Sequence, residues 1–104
     1  LILPPNNWFF MLIYNMEVVN RKYTVFFMQR KIITGDILRI LRKEKGLTQE
    51  KLAEKAEINS KYLGVVENGY SSPTLVKFWE ICDALGIKGS EFMKRVEEYQ
   101  DDIY

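Results

Sequence analysis

The sequence predicts an all-α domain of five helices behind an apolar N-terminal extension, and three observations carry that reading. From Thr34 onward apolar residues recur at intervals of three and four, the spacing that places them on one face of a helix. Most of these runs open on a residue that can cap a helix, and three of them close on a glycine. The first 27 residues follow neither rule: they hold seven of the fourteen aromatic residues and only three charged ones.

Taken in order, Thr34 can cap a first helix in which Ile37, Leu38 and Leu41 share a face, and Gly46 can end it in the left-handed conformation. Thr48 caps the second helix, with Leu52 and Ala53 turned inward and Glu50 in the first turn, where the helix dipole favours a negative charge. Ser60 starts the third, Leu63 and Val66 face inward, and Gly69 stops it. Ser72-Pro73 reads as a cap followed by proline at the first helical position. It opens a helix carrying Leu75, Phe78, Trp79, Cys82 and Leu85, which Gly86 closes. A fifth helix runs from Ser90 with Phe92, Met93, Val96, Tyr99 and Ile103. The chain thus divides into an extension, 1–27, and a domain, 28–104.

Within the extension, the apolar run Trp8 to Tyr14 is far shorter than the ~20 residues a membrane span needs. No basic region or small-residue cleavage site marks a signal peptide there. Residues Lys22 to Met28 have strand-like content but no turn pairs them with a second strand. The sequence begins with Leu, and Met11, Met16 and Met28 are each possible starts. Part of the extension therefore reads either as native sequence or as an over-extended start.

The formal net charge of +1 does not announce an anion-binding protein. Its distribution says more: residues 28–69 carry nine Lys/Arg against six Asp/Glu, and residues 70–104 carry four against seven. Such polarity suits a protein with one anion-facing side, although a solvated basic face gives the same count. The chain has no histidine and a single cysteine, Cys82. An internal disulfide, a zinc site and a Ser-His or Cys-His nucleophile are excluded on that ground. Cys82 lies beside Ile81 and Leu85 in a helical pattern and reads as a small packing residue. Glycine-rich phosphate loops are absent, and Glu97-Glu98 and Asp101-Asp102 read as solvated tail charge. No enzyme activity, metal, cofactor or small-molecule ligand is expected, and a cytoplasmic location is.

The stretch from Gly46 to Gly69 reads as two short helices meeting at a turn, with apolar residues toward a core and polar ones outward. That pattern is a helix-turn-helix, which projects one helix far enough to enter a DNA major groove. The ordered pieces Leu41-Arg42-Lys43-Glu44-Lys45-Gly46-Leu47-Thr48-Gln49, Leu52-Ala53, Tyr62-Leu63, Val66-Glu67-Asn68-Gly69, Ser72-Pro73-Thr74-Leu75 and Ala84-Leu85-Gly86-Ile87 resemble the phage repressor and Cro (XRE-type) helix-turn-helix regulators. The resemblance covers residues from about Gly35 to Phe92, and it implies a lambda-repressor-like five-helix DNA-binding domain. In its small size the chain resembles the restriction-modification controllers and small phage repressors of that family.

Residue by residue, the resemblance implies that Ser60, Lys61 and Val65 read base edges, flanked by Asn59 and Tyr62. Thr48, Gln49 and Asn68 fall where the family holds phosphates, and Arg42 and Glu67 where it has an ion pair. Two positions depart from the family pattern. Glu57 occupies the turn where glycine is usual, so either it takes a positive φ at a cost of order 1 kcal/mol or the turn differs from the family's. Gly64 lies inside the third helix, where it is about 1 kcal/mol worse than alanine. Either it is merely tolerated or it lets DNA approach the backbone.

The expected partner is double-stranded DNA, bound at a palindromic operator by a homodimer. Phe92, Val96, Tyr99 and Ile103 recur at four, three and four residues among acidic neighbours, which suggests the dimer interface. The alternative from a different class is a protein-interaction module such as an antitoxin or a coactivator-like helix-turn-helix protein.

Overall fold

A computed structural model describes residues 29–103; the expectations placed on residues 1–27, and on Lys22 to Met28 as a strand, lie outside the described residues. Five helices make up the described chain: α1 over 29–44, α2 Gln49–Ala56, α3 Ser60–Glu67, α4 Leu75–Leu85 and α5 Gly89–Ile103. Among the described residues there is no strand, and no helix is long and apolar enough to cross a membrane. Helix α2 packs on α3 and α4, and α5 packs on α4. Helix α1 supplies Ile33, Ile37, Leu38 and Leu41 to the same core.

The helix ends follow local chemistry. Thr48 Oγ1 accepts the Lys51 amide at 3.1 Å, Asn59 Oδ1 the Lys61 amide at 2.7 Å, and Thr74 Oγ1 the Lys77 amide at 3.3 Å, so each helix start has one otherwise orphaned donor satisfied. At the other ends, Gly46 (φ 69°) and Gly86 (φ 71°) turn left-handed, and the amides of Leu47 and Ile87 close back onto Arg42 O and Cys82 O. Glu57 does the same work without being glycine. Its φ is 56°, as the turn demanded, and the Ile58 amide closes onto Ala53 O at 2.9 Å.

Two helix starts differ from the sequence reading. Thr34 is no cap, because α1 is already helical at residue 29 and Ile33 is buried within the core. A threonine is tolerated in a helix interior at a modest cost in propensity, and the burial of Ile33 draws the helix backward past it. Ser72-Pro73 likewise lies in the irregular segment before α4, whose cap is Thr74.

A third difference changes the assignment of a surface. Phe92 is 1% exposed, and its ring meets Phe78 edge-on with centroids 5.1 Å apart; Val96 is also buried. Both belong to the core of one chain, so they do not form the surface of an interface. Tyr99 is partly buried against that core, and the side chain of Ile103 lies outside the described residues. Cys82 is buried too, and burial together with neighbouring Asp83 pushes its thiol up to about 11. It is a packing residue held protonated.

Of the described glycines, Gly35 stands closest to a neighbouring main chain. A Cβ there would stand 2.5 Å from both Val66 O and Glu67 O, main-chain atoms at the end of α3 that cannot swing aside. Gly35→Ala is therefore expected to lower stability by about 1–3 kcal/mol despite alanine's better helix propensity. Thermal unfolding followed by circular dichroism measures this directly, and an unchanged midpoint would mean that α1 does not sit this close to α3.

Candidate nucleic-acid interface

The sequence of helix α3 separates cleanly into two faces. Leu63, Val66 and Glu67 are buried. Ser60, Lys61, Gly64, Val65 and Asn68 fall at successive steps of one, three, one and three, which places them on one outward stripe. Lys61 and Asn68 are exposed and Val65 is 41% exposed. Among the described residues Lys61 makes no ion pair, whereas Lys51 is held by Glu54 at 3.6 Å and Lys77 by Glu80 at 3.3 Å. Its ammonium group is left for an external anion or acceptor.

What anchors the stripe is an ion pair beneath it. Arg42 Nε donates to both carboxylate oxygens of Glu67 at 3.1 Å, and Nη2 donates to Oε1 at 2.9 Å. Glu67 is 1% exposed and Arg42 9%. Arg42 Nη1 also donates to Leu47 O at 2.8 Å, so one guanidinium joins α1, the loop after it and the end of α3. This is the two-point contact that a planar guanidinium fork makes with a carboxylate.

The other expected site residues are brought close to α3, though not all with free groups. Thr48 Oγ1 and Asn59 Oδ1 are committed as caps, which leaves the hydroxyl hydrogen and the amide NH2. Tyr62 is half-buried and packs against the core, at the margin of the stripe. Gln49 lies across the middle of α3: its side-chain Oε1 would be 3.6 Å from a Cβ on Gly64. Asn68 Oδ1 accepts from Arg39 Nη2 at 3.0 Å.

Two features escaped the sequence reading. Arg39 binds the end of α3, donating to Glu67 O at 3.1 Å as well as to Asn68. Its position three residues before Arg42, on the same helical face, was the available signal. The second is an exposed apolar surface formed by Leu75 (61%), Val76 (62%), Trp79 (52%) and Met93 (40%). Leu75, Val76 and Trp79 share one side of α4; Gly89, one turn before Met93 on α5, lies against the Trp79 indole, whose Nε1 would be 3.3 Å from a Cβ there. Helix α4 thus has a second apolar strip beside the face it turns to the core.

A five-helix bundle with α2 and α3 joined by a left-handed turn, and a polar stripe held outward on α3, defines a helix-turn-helix domain. The Helix-turn-helix family profile matches residues 38–92. The chain belongs to the XRE-type helix-turn-helix family of DNA-binding transcriptional regulators. It is 35% identical over 69 residues to an uncharacterised HTH-type transcriptional regulator, y4dJ, of Sinorhizobium fredii, a match spanning 66% of this chain and 88% of that protein. It is 39% identical over 56 residues to the immunity repressor protein of Bacillus phage phi105, across 54% of this chain but 39% of the repressor.

Among solved structures it is similar to the restriction-modification controller protein C.AhdI of Aeromonas hydrophila, with 37% identity and a TM-score of 0.59 over 60% of this chain and 94% of that one. The clp gene regulator ClgR of Corynebacterium glutamicum superposes with a TM-score of 0.64 at 26% identity, over 67% and 91% of the two chains.

Two substitutions probe this architecture. Glu67→Ala leaves Arg42 buried without its counter-charge and is expected to cost about 3–5 kcal/mol, well beyond the ~0.2–1 kcal/mol of an exposed pair. A chemical denaturation midpoint within error of the wild type would contradict the burial of this pair. Gly64→Ala has the opposite sign. The new Cβ meets only the Gln49 amide at ordinary van der Waals distance, so helix propensity should stabilise the variant by up to ~1 kcal/mol. If its DNA affinity nevertheless falls, Gly64 serves close approach of DNA; if affinity holds, it is merely tolerated.

Proposed function

We propose that the chain is a sequence-specific regulator that binds a palindromic operator as a homodimer, with α3 in the major groove. The observation that carries this is the outward stripe Ser60-Lys61-Gly64-Val65-Asn68 on a helix whose other face is locked down by the core and by Arg42–Glu67. In this reading Lys61 donates to guanine O6 or N7, Ser60 bonds to either donors or acceptors, and Val65 meets a thymine methyl. Asn59 and Tyr62 flank that contact. Thr48, Gln49 and Asn68 hold phosphates and so fix register without reading sequence.

Dimerisation is assigned to the Leu75, Val76, Trp79 and Met93 surface, in place of Phe92 and Val96. A single helix-turn-helix covers one half-site, and two-fold dimers place recognition helices ~34 Å apart in successive major grooves. Each large apolar side chain moved from water into such a contact contributes roughly 1.5–3 kcal/mol. Four adjacent ones are a reasonable nucleus for a small symmetric interface, to which Tyr99, Ile103 and residues 1–27 could add. The same surface also suits a different protein partner, which is the second reading: an interaction module of the antitoxin or coactivator-like kind.

Binding to duplex DNA should be steeply salt-dependent, each neutralised phosphate adding ~0.9 to the slope of log affinity against log salt. On a duplex enriched from a random pool, Lys61→Ala should cost about 1–3 kcal/mol and relax preference at one base pair. A flat salt titration would favour the interaction module instead. For assembly, sedimentation of the full chain should show a dimer that Trp79→Glu converts to a monomer. A dimer untouched by Trp79→Glu but lost in a chain starting at Met28 would move the interface to the extension.

A further inference from the structure

We propose that Arg39 is a positioning residue for DNA binding, acting by fixing the orientation of the Asn68 side-chain amide. The inference rests on the reading of α3 as the DNA-facing helix. Arg39 Nη2 donates both to Glu67 O, a terminal carbonyl of α3, at 3.1 Å and to Asn68 Oδ1 at 3.0 Å. A guanidinium has donors only, so the atom of Asn68 that faces it must be the oxygen. The amide NH2 is thereby turned away from Arg39, and Asn68 presents donors at the exposed end of the α3 stripe. A phosphate accepts such donors; a freely rotating amide would offer its oxygen as often and would order itself only on binding.

The placement of Arg39 is itself constrained from three sides. Its Nη1 lies 3.5 Å from Asp36 Oδ1 and its Nε 3.7 Å from Glu67 Oε1, in addition to the two hydrogen bonds at the helix end. The three hydrogen bonds between Arg42 and Glu67 do not involve Arg39, so they are expected to persist when Arg39 is replaced. Loss of Arg39 therefore frees Asn68 while leaving the buried pair in place.

The test is a double-mutant cycle on the full chain, using the duplex that the wild type enriches from a random pool. Arg39→Met and Asn68→Ala should each weaken binding, Asn68→Ala by roughly ten-fold as expected for a hydrogen bond to a charged group. Together they should weaken it no more than Asn68→Ala alone. Single methylphosphonate replacements along the backbone give the second readout: the one phosphate to which wild-type binding is sensitive and Asn68→Ala is not should also become silent in Arg39→Met. Asn68→Asp covers folding, since its carboxylate still accepts from Arg39 yet repels phosphate; its melting temperature should hold while DNA affinity falls further than in Asn68→Ala. Additive effects in the cycle, or a salt slope that drops by ~0.9 in Arg39→Met because Arg39 itself neutralises a phosphate, would overturn the proposal. If the wild type enriches no duplex at all, it is the DNA-binding reading that fails.

Discussion

The buried contact between Arg42 and Glu67 is the constraint on which the presentation of α3 depends. Eight residues make a helix about 12 Å long, too short to be stable in water by itself. Leu63 and Val66 hold it to the core, but apolar contacts are non-directional and tolerate some rolling of a helix. Three hydrogen bonds from one guanidinium to the Glu67 carboxylate do not. A buried pair of this kind adds little net stability compared with well-packed apolar residues. Its contribution here is orientation: because Arg42 also grips Leu47 O, the pose of α3 is referred to α1 and to the start of α2 together.

Gly35 and Glu57 make that pose reachable. The first removes the side chain that would hold α1 away from the last carbonyls of α3. The second turns the chain left-handed between α2 and α3 in a residue with a Cβ, the one such non-glycine among the described residues. The strain of order 1 kcal/mol is set against the Ile58 amide closing onto Ala53 O and the packing of Ile58 and Ala56 on either side of the turn. The exposed Glu57 side chain itself adds no further burial penalty. A glycine would relieve this strain, but Glu57 takes the left-handed conformation without one.

Much of this was legible in the sequence, and what was not follows a pattern. Thr48, Gly46 and Gly86 act through one or two local hydrogen bonds, so residue type and spacing suffice to place them. Arg42 and Glu67 lie 25 residues apart, and nothing local links them; only the resemblance to a family paired them. Thr34 and Ser72-Pro73 misled because capping chemistry is permissive and neighbouring residues, Ile33 by its burial and Thr74 by its hydroxyl, competed successfully. Phe92 and Val96 misled for a different reason. Periodicity tells which residues share a face, but the face that covers them, here Phe78 on α4, is a property of the tertiary packing.

The surfaces assigned to function can be separated from those required by folding by asking what each outward residue touches. On α3, Lys61 makes no ion pair among the described residues and Val65 is left open, and Gly64 is required neither by a positive φ nor by a close main-chain neighbour. On α4, Leu75 and Val76 stand more than half exposed although the helix already turns Phe78, Ile81, Cys82 and Leu85 to the core. Folding selects for neither arrangement: contiguous exposed apolar side chains favour association, and an interior helical glycine lowers stability. The two sets differ in chemistry, one polar and basic with a small apolar contact, the other wholly apolar. That difference is what a protein needs if one face is to meet a polyanion and another is to meet a surface like itself.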